Sequence, residues 1–291
     1  MDPLTQASKE ETMQSNNPIF RRSEEFNRGG ANPPYGGASM TDPSQWSVGT
    51  PSGTAYAPPA TAAPMTIDSV VQKTAITLGV VILAAIATWV LTPEVTSDSD
   101  PADLGPLFAA VTIGSLGAFG LSMVNSFKRV ISPGLVLAFA ALEGVALGAI
   151  SKVFNLAYDG VVTGAVIGTF GAFAGTLAAY KVLNIKVGDK FRRGVIAAVF
   201  GMVGISLLAL VLSFFGVDLG IYGNGGLGVL FTVAGLVLGI FMLILDFDFV
   251  EQGIANRIPE QESWRAAFAM TVSLVWIYTN LLRLLAIFSD N

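Results

Sequence analysis

The 291-residue chain is 52% hydrophobic and only 13% charged, with a net charge of −5. A soluble domain carries about 25% charged residues, and the mean hydropathy of +0.62 points to an integral membrane protein whose apolar surface meets the lipid bilayer. The absence of Cys and His excludes disulfides, thiolate nucleophiles, zinc–thiolate sites and His-ligated haem, and the lack of a basic stripe excludes nucleic acid as a partner.

Without histidine, a pH response near neutrality falls to carboxylates or an unusual Lys. Residues 1–66 are rich in Pro, Gly, Ser, Thr, Asn and Gln and poor in aliphatic residues. Such a composition cannot bury enough apolar surface to offset chain entropy, so a disordered tail is expected. It has no apolar core of a secretory signal peptide. One island, Asn17-Pro18-Ile19-Phe20-Arg21-Arg22, mixes apolar and basic residues in the manner of a membrane-surface or partner contact.

From about residue 67 to 291 the chain reads as a transmembrane domain. About 20 apolar residues cross a bilayer, and the stretches poor in charge predict seven spans, at about 70–92, 104–126, 133–152, 161–181, 194–216, 225–246 and 265–288. Thr66-Ile67-Asp68 marks a helix start before the first, and Ser132-Pro133 before the third. Span four carries Gly160, Gly164 and Gly168, and on another stripe Gly171, Gly175 and Ala179. Small residues at this spacing predict close helix packing.

Lys and Arg favour the even-numbered connections: Lys128 and Arg129 in the second, Lys181, Lys186, Lys190, Arg192 and Arg193 in the fourth, Arg257 and Arg265 in the sixth. The first connection holds four acids and no cation. The positive-inside rule puts the even connections and the N-terminus in the cytoplasm, and seven crossings put the C-terminus outside.

Inside the apolar body the charged positions are few. Glu143 lies near the middle of span three, where a carboxylate is costly and marks a functional candidate. Lys73, near the start of span one, is placed to snorkel to the interface. At the end of span six, Leu245-Asp246-Phe247-Asp248-Phe249-Val250-Glu251 brings three acids within six positions. Asp246 and Asp248 are about 200° apart on a helix, whereas Asp248 and Glu251 share a face. One aspartate is therefore expected to look into the bundle and the other elsewhere. The helix dipole disfavours acids at a C-terminus, which argues for a site here.

Three segments in this order and spacing resemble the Bax inhibitor-1, or transmembrane Bax inhibitor motif, family, in its bacterial branch with a long polar tail. They are residues 139–148 around Leu142-Glu143-Gly144, residues 240–248 ending in Leu245-Asp246-Phe247-Asp248, and Thr279-Asn280-Leu281-Leu282-Arg283-Leu284-Leu285. The resemblance implies an all-α integral membrane protein with seven transmembrane helices, the last one central and surrounded by the other six, in a bacterial plasma membrane. It also implies a pH-sensitive calcium leak with no enzymatic activity and no resident cofactor, calcium being the transported ion.

In the family's leak proteins an aspartate near the end of helix six shares a proton with one in helix seven, and an arginine at the end of helix two latches it. Carried over, the helix-six aspartate falls on Asp248, with Asp246 where the family has an apolar residue. The latch falls in residues 126–129, on Arg129 or Lys128. The helix-seven aspartate falls on Ser273, and no Asp or Glu occurs between Arg265 and Arg283. The two-aspartate sensor is then incomplete, and Asp246, Glu251 or Glu143 would have to supply a second carboxylate. Calcium prefers six to eight oxygen ligands, so the metal-binding role of these groups is open.

Other classes fit less well. An intramembrane aspartyl protease needs a Gly-x-Gly-Asp segment, which is absent, and a retinal protein needs a Lys in the last span, which has none. A non-transporting regulator that binds a membrane protease or stress-response partner through its tail and loops is the standing alternative.

Overall fold

The computed structural model describes residues 63–94 and 104–290. The tail through residue 62, with its 17–22 island, and the acids at 98, 100 and 103 lie outside the described residues. The body consists of α1 (Ile67–Leu91), α2 (Gly105–Phe127), α3 (Pro133–Ala157), α4 (Val161–Val182), α5 (Asp189–Phe214), α6 (Gly226–Ala255) and α7 (Ser263–Ser289). A single 3-10 turn, Glu260–Glu262, precedes α7. All seven helices are long and apolar enough to cross a membrane. The chain is an all-α, seven-span membrane protein.

Local sequence sets the helix starts. The Thr66 hydroxyl accepts from the Ser69 amide, and the Ser69 hydroxyl accepts from the Thr66 amide, both at 3.1 Å. This reciprocal cap satisfies two donors that a helix N-terminus otherwise leaves open. Proline stands in the first turn of α2 and opens α3, where a missing N–H costs nothing.

Three helix ends differ from the expected spans by five residues or more. The third helix continues to Ala157, the fifth begins at Asp189 rather than 194, and the sixth runs to Ala255 rather than 246. A charge ends an apolar window but does not break backbone hydrogen bonding. What stops α6 is Asn256 and then Arg257, whose φ is +51°. At 30 residues, α6 is about 45 Å long, against a hydrocarbon core of about 30 Å. Its acids therefore sit inside a helix, ahead of its last turn, and the dipole argument for the C-terminus does not apply to them.

α7 is the central helix. It packs against α1, α3, α4 and α6, while α2 completes the surround mainly through α3 and α5 through α6. Its buried residues point in several directions. Met270 and Ile277 meet Leu243 and Phe247 of α6, whereas Tyr278, Leu282 and Ala286 join residues of α1, α3 and α4. On a further side, Phe268 meets Phe139 of α3 edge to face at 5.0 Å between ring centres.

The closest helix approaches come from glycines of α3, of α2 (Gly114) and of α6 (Gly235 and Gly239) rather than from the glycines of α4. A Cβ on Gly144 would run into the Val81 carbonyl, and one on Gly148 would lie 2.9 Å from the Ala85 Cα. In α4, Gly164 and Gly168 do face α7, with a built Cβ 3.0 Å from Leu285 and Leu281 side chains. Gly171 and Gly175 face open space, so the second expected stripe is not a packing surface. Gly160 is instead the residue before α4, with φ +79°.

One end of the bundle is tied together by backbone and charge. The Met65 amide donates to the Ile258 carbonyl at 2.8 Å, and the Glu260 amide to the Ala63 carbonyl at 2.7 Å. Lys73 pairs with the Glu260 carboxylate at 2.8 Å instead of only snorkelling. Arg265 pairs with Glu262 at 2.6 Å and donates to the Arg129 carbonyl at 3.0 Å. The start of α1, the start of α7 and the α2–α3 connection are thereby fixed to one another.

Gly148→Val is expected to lower stability by about 1–3 kcal/mol through overpacking against α1. Gly171→Ala, whose new methyl meets open space, is expected to leave the thermal midpoint in detergent unchanged or slightly raised. Equal midpoints for wild type and Gly148→Val would refute the close-approach account.

Candidate functional site

The three acids of α6 reach three different helices. The Ser273 hydroxyl of α7 donates to Asp246 Oδ2 at 2.5 Å. Asp248 is buried, and its Oδ2 accepts from Arg192 Nη2 of α5 at 2.8 Å and from Gln252 Nε2, one turn on, at 2.7 Å. Glu251 Oε2 accepts from the Tyr180 hydroxyl of α4 at 2.6 Å. Helical geometry accounts for one part of this fan, turning residues 246 and 248 about 200° apart, whereas Asp248 and Glu251 share a face and still reach different helices. Phe247 fills the space towards α4, 5.7 Å from Phe173 and 5.8 Å from Tyr180 between ring centres.

Two expected pairings are therefore replaced. Asp246, not Asp248, meets Ser273. The cation on Asp248 is Arg192, not Arg129 or Lys128. The side chains of those two are exposed, and their carbonyls accept from Arg265. Arg192 is hidden in the sequence because the apolar pattern places the start of the fifth span at 194. Since α5 starts at Asp189, Arg192 occupies its first turn and a definite direction. Gln252 follows Asp248 by four residues, a spacing that places the two on one helix face, so that partner was legible.

Glu143 stands apart from the α6 acids. It lies on α3, with the buried Phe139 one turn before it and the buried Leu147 one turn after. Among the described residues it has no hydrogen bond or ion pair. Along α3 it falls between the Phe139–Phe268 contact and the Ser151–Tyr278 hydroxyl pair at 2.6 Å. Nor do three acidic side chains converge as metal ligands anywhere among the described residues. The site is a set of separate carboxylates, in which one α6 acid is held by a cation and two by hydroxyls.

At the opposite end of α7, Arg283 donates to the Ile221 carbonyl at 2.5 Å and lies 5.0 Å from the centre of the Tyr222 ring. Trp276 donates to the Gly235 carbonyl at 2.9 Å.

The family described as Bax inhibitor 1 like matches residues 17–290. The chain belongs to that family. No curated protein matches the chain. Family membership agrees with the seven membrane-spanning helices and with the central last helix.

Removal of Arg192 leaves a buried carboxylate with only an amide partner. Because the guanidinium is 41% exposed, the expected coupling lies between that of a surface pair and a buried one, about 1–3 kcal/mol. A double-mutant cycle of Arg192→Gln with Asp248→Asn, read by denaturant unfolding in detergent, measures it. The cycle of Arg129→Gln with Asp248→Asn is expected to show less than about 0.5 kcal/mol.

Proposed function

We propose that this protein is a pH-sensitive cation leak, with calcium as the transported ion and the Arg192–Asp248 pair as its gate. The observation that carries the reading is a single buried carboxylate joining two membrane helices through one cation. Protonation of Asp248 removes its attraction for Arg192 and frees the start of α5 from α6. Tyr180 and Glu251 are the other titratable groups next to it, and they are bonded to each other. Asp246 and Glu143 offer carboxylates elsewhere along the bundle for a passing cation. The protein then acts by binding and release rather than by covalent catalysis.

The orientation follows from charge. Lys128, Arg129, Lys186, Lys190, Arg193 and Arg257 all lie at the Asp248 end, whereas Lys152 and Arg283 lie at the other. The positive-inside rule makes the Asp248 end cytoplasmic, with the N-terminus on that side of a bacterial plasma membrane.

One observation favours a second reading. Ser273 offers a hydroxyl where the leak mechanism calls for a carboxylate, and the acids do not converge. This suits a regulator that binds a membrane-protein partner and conducts nothing.

Calcium flux into proteoliposomes containing the purified protein separates the two. The leak reading expects flux to rise as pH falls, since protons break the ion pair. Asp248→Asn and Arg192→Gln are each expected to raise flux at neutral pH and flatten its pH response. Absence of flux from wild type, or unchanged flux and pH response in both variants, overturns the leak reading.

A further inference from the structure

In the α4–α5 connection Ile185 packs against the core, but apart from Arg192 the cations around it have no role in the fold or the gate. Lys186, Lys190 and Arg193 are exposed and carry neither an ion pair nor a hydrogen bond among the described residues. Asp189 is the acid between them. The connection joins the ends of two membrane-spanning helices, which puts its cations at headgroup level. Val182 and Leu183 beside it are 81% and 70% exposed, as suits a segment that dips into an interface rather than water.

Next to these cations an apolar cleft of about 750 Å³ runs between α5 and α6. It begins at Phe191 and Gly194 and extends to Ile205 and Leu230. Lys190 precedes Gly194 by one helical turn, so it stands at the edge of the cleft mouth. The stretch from Phe191 to Ile205 covers about 20 Å, more than one leaflet of a hydrocarbon core about 30 Å thick. Built Cβ atoms on Gly194 and Gly201 meet nothing within 4 Å, so these glycines hold the groove open rather than pack a neighbour.

We infer that this cleft binds one anionic phospholipid, with its headgroup phosphate on Lys186 and Lys190 and an acyl chain between α5 and α6. Charge complementarity selects this occupant. A second apolar groove, of about 400 Å³ between α1, α3, α4 and α7, has no such cation. Lys152 near it is already bound to the Trp89 and Thr92 carbonyls, each at 2.8 Å. The bound lipid bridges the two helices that the Arg192–Asp248 pair also joins, although the site does not depend on the protein conducting ions.

The test is retention of phosphatidylglycerol against phosphatidylcholine by the purified full-length protein, read by native mass spectrometry. Wild type is expected to prefer phosphatidylglycerol. Lys186→Gln and Lys190→Gln are each expected to lower that preference by roughly fivefold, whereas Arg193→Gln, on the side of α5 away from the cleft, is expected to change it little. Gly201→Leu, whose side chain enters open space, is expected to reduce retention of both lipids while the thermal midpoint holds. Equal retention of the two lipids by wild type overturns the inference, as does a preference that survives Lys186→Gln and Lys190→Gln together. Retention unaffected by Gly201→Leu overturns the acyl-chain placement. A wild-type dimer that Gly201→Leu dissociates without loss of lipid gives the cleft to a second copy and also overturns it.

Discussion

In hydrocarbon a helix gains nothing by exchanging lipid tails for leucine, so the bundle depends on close backbone approach and on polar groups that find partners. α7 carries most of that burden. It lies against four other helices and has little surface left for lipid. Its Ser263 bonds to Ser69 of α1 at 2.7 Å, Tyr278 to Ser151 of α3 at 2.6 Å, Ser273 to Asp246 of α6 at 2.5 Å, and Trp276 to Gly235 of α6 at 2.9 Å. Each of these α7 groups is neutral, and one partner on a neighbouring helix satisfies it. Interhelical bonds of this kind contribute about 0.6 kcal/mol on average, so it is their number and direction, not their individual strength, that fixes the central helix.

The acids obey the same constraint from the other side. A carboxylate near hydrocarbon is costly without a donor, and α6 supplies one to each of its three by sending them to α7, α5 and α4 in turn, whereas Glu143 of α3 has none among the described residues. Spreading them also avoids the repulsion that like charges suffer at short range. The arrangement makes the end of α6 a junction of helices instead of a metal cage. Only the contact with α5 is an ion pair, so only there does loss of a charge remove an attraction between opposite charges.

The membrane spans were legible in the sequence, because twenty or so uncharged residues have few other uses. The helix ends were less so, since the charges at Lys152, Arg193 and Asp246 close an apolar window while the backbone continues. This single effect hid the main partner of Asp248. With α5 taken to begin at 194, Arg192 is a loop residue without direction, and the family's latch region draws attention to Lys128 and Arg129. The faces of Asp246 and Asp248 followed from helical spacing alone, but which face looks at α7 required the packing of α6. The glycines misled in the opposite sense. Those of α4 have the regular spacing, yet the closest approach between helices α1 and α3 falls at Gly144 and Gly148, where α1 offers Ala84 and Ala85.

α5 is the helix held by the fewest ties. Its buried residues are Val195, Met202 and Ala209, seven apart, a single narrow seam towards α6. Near one end of that seam is the ion pair, and beside it is the open cleft. A helix bound along one line resists sliding and tilting less than one gripped from several directions, as α7 is. A rearrangement of this bundle therefore costs least if α5 moves and α7 stays. The Arg192–Asp248 contact lies on the helix whose movement disturbs the least of the core, the small cluster around Val195, Met202 and Leu238, which is where a charge change of modest energy has the greatest structural effect.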